Sequence, residues 1–262
     1  MGNVLNHAPV YFAAAQVRHN PISALATDAG LRSKVLEALR VLGFTDQKEL
    51  KQAIRIEVAG ANVELPPQHQ LLCLNSDKTS AFVVQQDRCW LQTTHYLDFH
   101  AFKDSFLTAL GAVHAAVGFD YVDAVSMRML DAVVPLDGEQ LSEYLPPGLL
   151  GLDQWAEQRG WTLLHQGTEQ VFSTERHRVV FRCTRRPSEV GFPPDCAPEG
   201  MVLLERHRGV SRPHAVLDTD AALEKRQKFD LGELDGQLTA VKKDLSQCFE
   251  SVVTQHALKQ WS

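Results

Sequence analysis

The sequence lacks any apolar run approaching the roughly 18 or more residues needed to span a bilayer, so a membrane-spanning segment is not expected. It lacks a CxxC pair. Its five cysteines, Cys73, Cys89, Cys183, Cys196 and Cys248, are odd in number and widely spaced. That excludes a regular disulfide framework and points to reduced thiols in a cytoplasmic protein. His177, Cys183, Cys196 and His207 match no standard zinc-finger spacing. The glycine-rich phosphate cradles GxGxxG, GxxxxGKS and GxxxxGKT are missing, as are GxSxG and HExxH, so the usual nucleotide and hydrolase signatures give no support. The N-terminus has no basic segment ahead of its apolar stretch, unlike a secretory signal. Asn6 stands where myristoylation after Gly2 usually needs Ser or Thr. No cofactor, metal or catalytic group is expected.

What is present is ordinary globular composition. Of 262 residues, 44% are hydrophobic and 22% charged, which excludes disordered and collagen-like chains. The net charge of -6 argues against indiscriminate nucleic-acid binding.

Residues 9–18 read as a first strand. Leu31, Val35, Leu36, Leu39 and Leu42 then recur at helical spacing, after capping candidates Ser23, Thr27 and Asp28 and before a stop at Gly43. A meander of antiparallel strands follows, with turns expected at 60–67, 75–78 and 87–88. Asp98 caps a second helix whose stripe is Phe99, Phe102, Phe106, Leu107, Leu110, Val113 and Val117. Residues 121–134 form a long strand. Residues 136–160 form a helical connector in which Leu149, Leu150, Leu152 and Trp155 seek burial. The second half offers strands at 161–173, 177–184, 201–208 and 215–218. It closes with one long helix over about 230–258. The expectation is an α+β fold of two mainly antiparallel sheet-plus-helix halves, 1–135 and 161–262, packed into one unit around the 136–160 connector.

Four segments carry a resemblance: His7-Ala8-Pro9-Val10 through Arg18-His19-Asn20-Pro21; Thr93-Thr94-His95-Tyr96 followed by Phe99 and Phe102; Arg128 within Ser126–Asp131; and Leu217-Asp218-Thr219-Asp220 ahead of the last helix. Over nearly its whole length the chain resembles a sporadically distributed bacterial family of uncharacterised α+β proteins of similar size. Met129 and Asp131 depart from the Tyr and Asn usual there. The resemblance implies a bacterial protein, and the patchy distribution implies a defence or toxin-immunity setting. It implies no reaction.

The main local signal is basic. Strand alternation places Arg176, Arg178, Arg182 and Arg186 on one face with Val180 and Thr184, while His177, Val179, Phe181 and Cys183 take the other. Arg206, Arg208 and Arg212 extend the row if 201–208 is the next strand. Guanidiniums in a row can fork onto carboxylates or phosphates, which suits a non-enzymatic protein that binds an acidic protein or a phosphate-bearing ligand. The competing reading pairs them with Glu169, Glu175 and Glu205, as exposed sheets commonly do. Asp218 and Asp220 share a strand face. With Glu205 they would suit a metal-dependent nuclease or phosphoesterase, although Asp220 could equally serve a turn. Arg128 and Asp131 fall on opposite faces, and Arg128 reads as a buried arginine paired with a distant acid. A third reading is a structural homo-oligomer built through an open sheet edge or the final helix.

Overall fold

The computed structural model describes residues 5, 7–58 and 61–262, with side chains outside 52–68 and 154. In chain order the elements are β1 (Val10–His19), α1 (Ala24–Thr27), α2 (Ala29–Val41), β2 (Asp46–Val58), β3 (Ala61–Leu74), β4 (Ser80–Val84), β5 (Arg88–Thr93), α3 (Phe99–Val117) and β6 (Tyr121–Val133). They continue with α4 (Leu141–Tyr144), α5 (Pro147–Leu150), α6 (Asp153–Glu157), β7 (Gln166–Ser173), β8 (Arg178–Arg185), β9 (Ala215–Lys228), α7 (Leu231–Val252) and α8 (Gln255–Trp261).

The strands form one antiparallel nine-stranded sheet in the order β2-β3-β4-β5-β1-β6-β9-β8-β7. The two stretches of sequence therefore supply adjacent blocks of a common sheet, joined where β6 pairs with β9 from Tyr121 to Val133. The α+β class, the antiparallel pairing and the long C-terminal helix are as the sequence indicates.

Each long helix begins where a carboxylate can take an otherwise unpaired backbone N–H. Asp28 accepts from Leu31 at 3.0 Å, Asp98 from Ala101 at 2.9 Å and Asp230 from Glu233 at 2.9 Å. Such a cap is worth about 1 kcal/mol. Gly118, at φ +70°, ends α3 in a conformation that a side chain would resist. The helices α2, α3 and α7 cover one sheet face, where Leu39, Phe82, Phe106, Leu110, Met127, Leu238 and Val241 share a core. The alternation of β6 serves both faces: Val125, Met127 and Met129 meet the helices, while Leu130 and Ala132 meet the opposite side.

That opposite side is crossed by an irregular strap, residues 186–213. Val190, Phe192, Cys196, Leu203 and Val210 of the strap pack with Tyr11, Phe12, Leu130 and Ala132. The Tyr11 hydroxyl donates to the Gly191 carbonyl at 2.6 Å.

Four expectations need correction. Residues 201–208 are not a strand. Gly200 and Gly209, both at positive φ, turn the chain, and a short 3-10 turn at Glu205–His207 lies between them. The expected turn at 60–67 is strand from Ala61 onward; β4 pairs with β3 only over Leu71–Leu74, so Pro66 and Pro67 lie beyond that ladder. The final helix breaks at Val253, and Thr254 restarts it by accepting from Ala257 at 3.2 Å. Leu149 and Leu150 are buried as expected, but Leu152 and Trp155 stay exposed beside the outermost strand.

Candidate functional site: the charged strap face

Cross-strand register assembles the site. Arg128 on β6 faces Asp220 and Leu130 faces Asp218 on β9, while Arg182 on β8 faces Asp218 and Val180 faces Asp220. Partners directly opposite share a face, so Arg128, Asp218, Asp220 and Arg182 all project toward the strap.

Arg128 is the hub. Its Nε and Nη2 donate to the two oxygens of Asp218 at 2.8 and 2.7 Å. Its Nη1 and Nη2 donate to Asp195 of the strap at 2.8 and 3.2 Å. One guanidinium thus ties β6 to β9 and the sheet to its cover. Burial works against the Arg128 charge, but the bonds to Asp218 and Asp195 more than offset it and hold the guanidinium above its ordinary value. The Arg128 hydrogen bond lowers the Asp195 carboxyl in turn. Arg182 donates from Nε to Glu169 at 2.6 Å and from Nη1 to Asp218 at 3.4 Å. Burial raises the Asp220 carboxyl, which Arg128 partly opposes. The distant acid expected for Arg128 is therefore Asp218.

This arrangement bears on the metal reading. Both oxygens of Asp218 receive N–H donors from Arg128, and burial favours the neutral form of Asp220. Glu205 sits exposed in the 3-10 turn of the strap. A divalent cation needs charged oxygens free to converge, and a guanidinium already occupies the first of them.

The expected arginine row is only partly assembled. Arg178 and Arg182 do share the strap face. Arg176 lies in the turn between β7 and β8, where alternation lapses. It lines a cavity of about 250 Å³ on the helix side with His177, Leu223, Glu233 and Gln237. Arg186 is exposed just past the end of β8. Arg206 and Arg208 are not on a neighbouring strand. Arg206 donates to the Val10 carbonyl of β1 at 3.3 Å and fastens the strap, while Arg208 donates to the Leu203 carbonyl at 2.9 Å within it. Arg212 pairs with Asp137 at 2.6 Å.

The cysteine and histidine set is split between faces. Cys183 is buried on the helix side, and His177 meets Asp244 of α7 there at 2.6 Å. Cys196 and His207 belong to the strap and pack near Tyr11 on the opposite face. Burial lowers His207 to about 4, and neither of its ring nitrogens has a partner among the described residues. His19, His177, His207 and His214 are all buried, His177 on the core face where alternation puts it.

Three features were not expected as sites from the sequence. Asp131, on the helix side of β6, is buried and pushed up to about 7 by burial, an effect that Lys242 of α7 partly opposes. Glu139, Glu143 and His256 bring ligand-type atoms within 4.8 Å of one another. Glu139 also accepts from the Tyr144 hydroxyl, and Glu143 from the Gln140 N–H at 2.7 Å, so both carboxylates are already engaged at the start of α4, and Glu139 also meets His256 of α8 at 3.2 Å. Trp155 and Trp161 stack edge to face at 4.7 Å and remain exposed near the start of β7.

The class this defines is an α+β protein with a wide antiparallel sheet, helices on one face and a strap pinned by a shared arginine on the other. No family model and no curated protein matches the chain. Among the described residues, no helix is long and apolar enough to cross a membrane.

Proposed function

We propose that this is a non-enzymatic binding or accessory protein that captures an acidic segment of another protein along the outer strap face of β8. One observation carries this reading: Arg178 and Arg186 are exposed at the two ends of the strand with no acidic partner among the described residues, whereas Arg128, Arg182, Arg185 and Arg212 each have one. Eight residues of strand separate them by roughly 25 Å. A single phosphate cannot reach both, whereas an extended acidic peptide can. Arg182 lies between them, and its half-open pair with Glu169 can exchange that carboxylate for one from a ligand. A cytoplasmic location belongs to the same proposal, supported by five free cysteines, three of them buried. So does a bacterial defence or immunity setting, which rests on the family resemblance alone.

The test is fluorescence anisotropy with a labelled polyglutamate peptide. The paired substitutions Arg178→Glu and Arg186→Glu should weaken binding at least tenfold and reduce its salt dependence, with unchanged melting. Arg40→Glu, on the remote face of α2, should leave affinity unchanged. Equal losses in both variants, or no loss in the first, would reject the assignment. Competition by inorganic polyphosphate but not by acidic peptide would point to a phosphate-bearing ligand.

A further inference from the structure

The edge strand β7 combines three properties. First, it is open. Among the described residues its only sheet neighbour is β8, and residues 169–173 are exposed. The Thr174 N–H donates inward to the His177 carbonyl at 2.8 Å, and no register shift interrupts the β7–β8 ladder. Alternation then directs the N–H and C=O groups of Gly167, Glu169, Val171 and Ser173 away from the sheet. The Ala132 N–H donating to the Pro9 carbonyl at 2.9 Å gives the same parity when followed across β6, β9 and β8.

Second, the edge is unguarded. Natural edges are protected by lysine, proline, bulges or charge. Gln166–Ser173 contains no lysine, no proline and one charge, Glu169, which Arg182 already takes. Third, the exposed apolar side chains sit at both of its ends. Val171 and Phe172 lie at one end; Trp161 (62% exposed) and Leu164 (76%) precede the other, with Leu152 and Trp155 among the exposed residues of the adjoining connector.

We infer that β7 pairs antiparallel with β7 of a second copy of this chain, joining two nine-stranded sheets edge to edge. Two-fold pairing brings the Val171–Phe172 end of each copy toward the Trp161–Leu164 end of the other, which a parallel or one-sided partner would not do. In the register centred on Thr168, Glu169 faces Gly167 of the second copy, so no like charges oppose one another. The six exposed apolar side chains present on the order of 600 Å² per copy, near the ~800 Å² that each partner gives to a standard interface.

Sedimentation velocity from about 1 to 100 μM should carry the mass from 29.2 kDa toward twice that value. Val171→Pro removes an outward N–H and no internal bond. Val171→Lys installs the guard that the strand lacks. Each should raise the dimer dissociation constant at least tenfold, with melting within about 2 °C of wild type. Hydrogen exchange needs no variant: the amides of Gly167, Glu169, Val171 and Ser173 should gain protection with concentration. A wild-type chain that stays monomeric at 100 μM overturns the inference. So does a dimer indifferent to both substitutions, or concentration-independent exchange at those four amides. Neither Val171 variant touches Arg178 or Arg186, so loss of self-association and loss of peptide capture are separately readable.

Discussion

At the centre of the sheet, Arg128 reaches two carboxylates, and Asp218 is covered by three hydrogen bonds from two arginines. At the β7 edge, four residues direct their backbone groups outward, and the side chains of Val171 and Phe172 face solvent. The other edge shows a third condition: β2 opens with Asp46, Lys48, Glu49 and Lys51, and Glu49 is bound by Arg32 of α2 at 3.0 Å. The contrast is between charges already spent inside the fold and contacts still available to a partner. A charge paired within the fold is costly to leave without its partner and offers little recognition. An unpaired backbone row does the reverse. Substitutions at the centre should therefore cost stability, and those at β7 should cost association alone.

The largest effect is expected at Arg128. Its side chain is 16% exposed and that of Asp218 only 4%. Arg128→Ala leaves the Asp218 carboxylate buried with only the longer contact from Arg182 and releases Asp195 of the strap. The expected loss is about 3 kcal/mol, or about 10 °C in melting temperature. Adding Asp218→Asn should recover part of it, because the uncompensated charge goes too. Chemical denaturation of the single and double variants checks this. A loss under 1 kcal/mol would mean that the centre is not held by this pair.

The next effect depends on pH. Asp131 has its carboxyl raised from 3.8 to about 7 by burial. Between those values the unfolded chain has released a proton that the folded chain keeps. The native state accordingly loses stability as pH rises from about 4 to about 7, by up to ~4 kcal/mol as an upper bound. Asp131→Asn removes the titrating group and should flatten the profile, so that its advantage over wild type grows between pH 5 and pH 8. Denaturation curves at the two pH values decide it. Parallel profiles would place the proton elsewhere.

Much of the fold was legible because its signals are local. The caps Asp28 and Asp98, the glycine stops and the 3.6-residue spacing of α2, α3 and α7 act within a few residues and are found where the sequence puts them. The face shared by Asp218 and Asp220 follows from alternation alone. What was not legible depends on which strands become neighbours. Arg206 reads as part of a basic row only if 201–208 is a strand next to β8. The actual neighbour is β9, which places Asp218 opposite Arg182 and leaves Arg206 out of the row. Alternation also cannot show where a turn begins, so Arg176 reads as part of the strap face but lies by the helix-side cavity. The exposure of Trp155 and Trp161 was hidden for the same reason. An aromatic residue is assumed to be covered until the strand beside it proves to be the last in the sheet.

The smallest stability effect is expected at Trp161, and it bears most directly on the contrast between centre and edge. A surface aromatic residue contributes little to its own fold, so Trp161→Ser should change stability by no more than about 0.5 kcal/mol. The nearest described aromatic contact of Trp161 is Trp155, itself partly exposed and covered by Arg159 at 4.2 Å, so no buried cluster loses volume. Were Trp161 instead part of a core, truncation would cost about 3–5 kcal/mol. The two readings differ by an order of magnitude in a denaturation experiment. If the cost is small, the apolar surface ahead of β7 is not needed to fold one copy, and its association constant should fall with the same substitution. If the cost is large, the surface belongs to the fold, and the edge strand loses the second of its two apolar anchors.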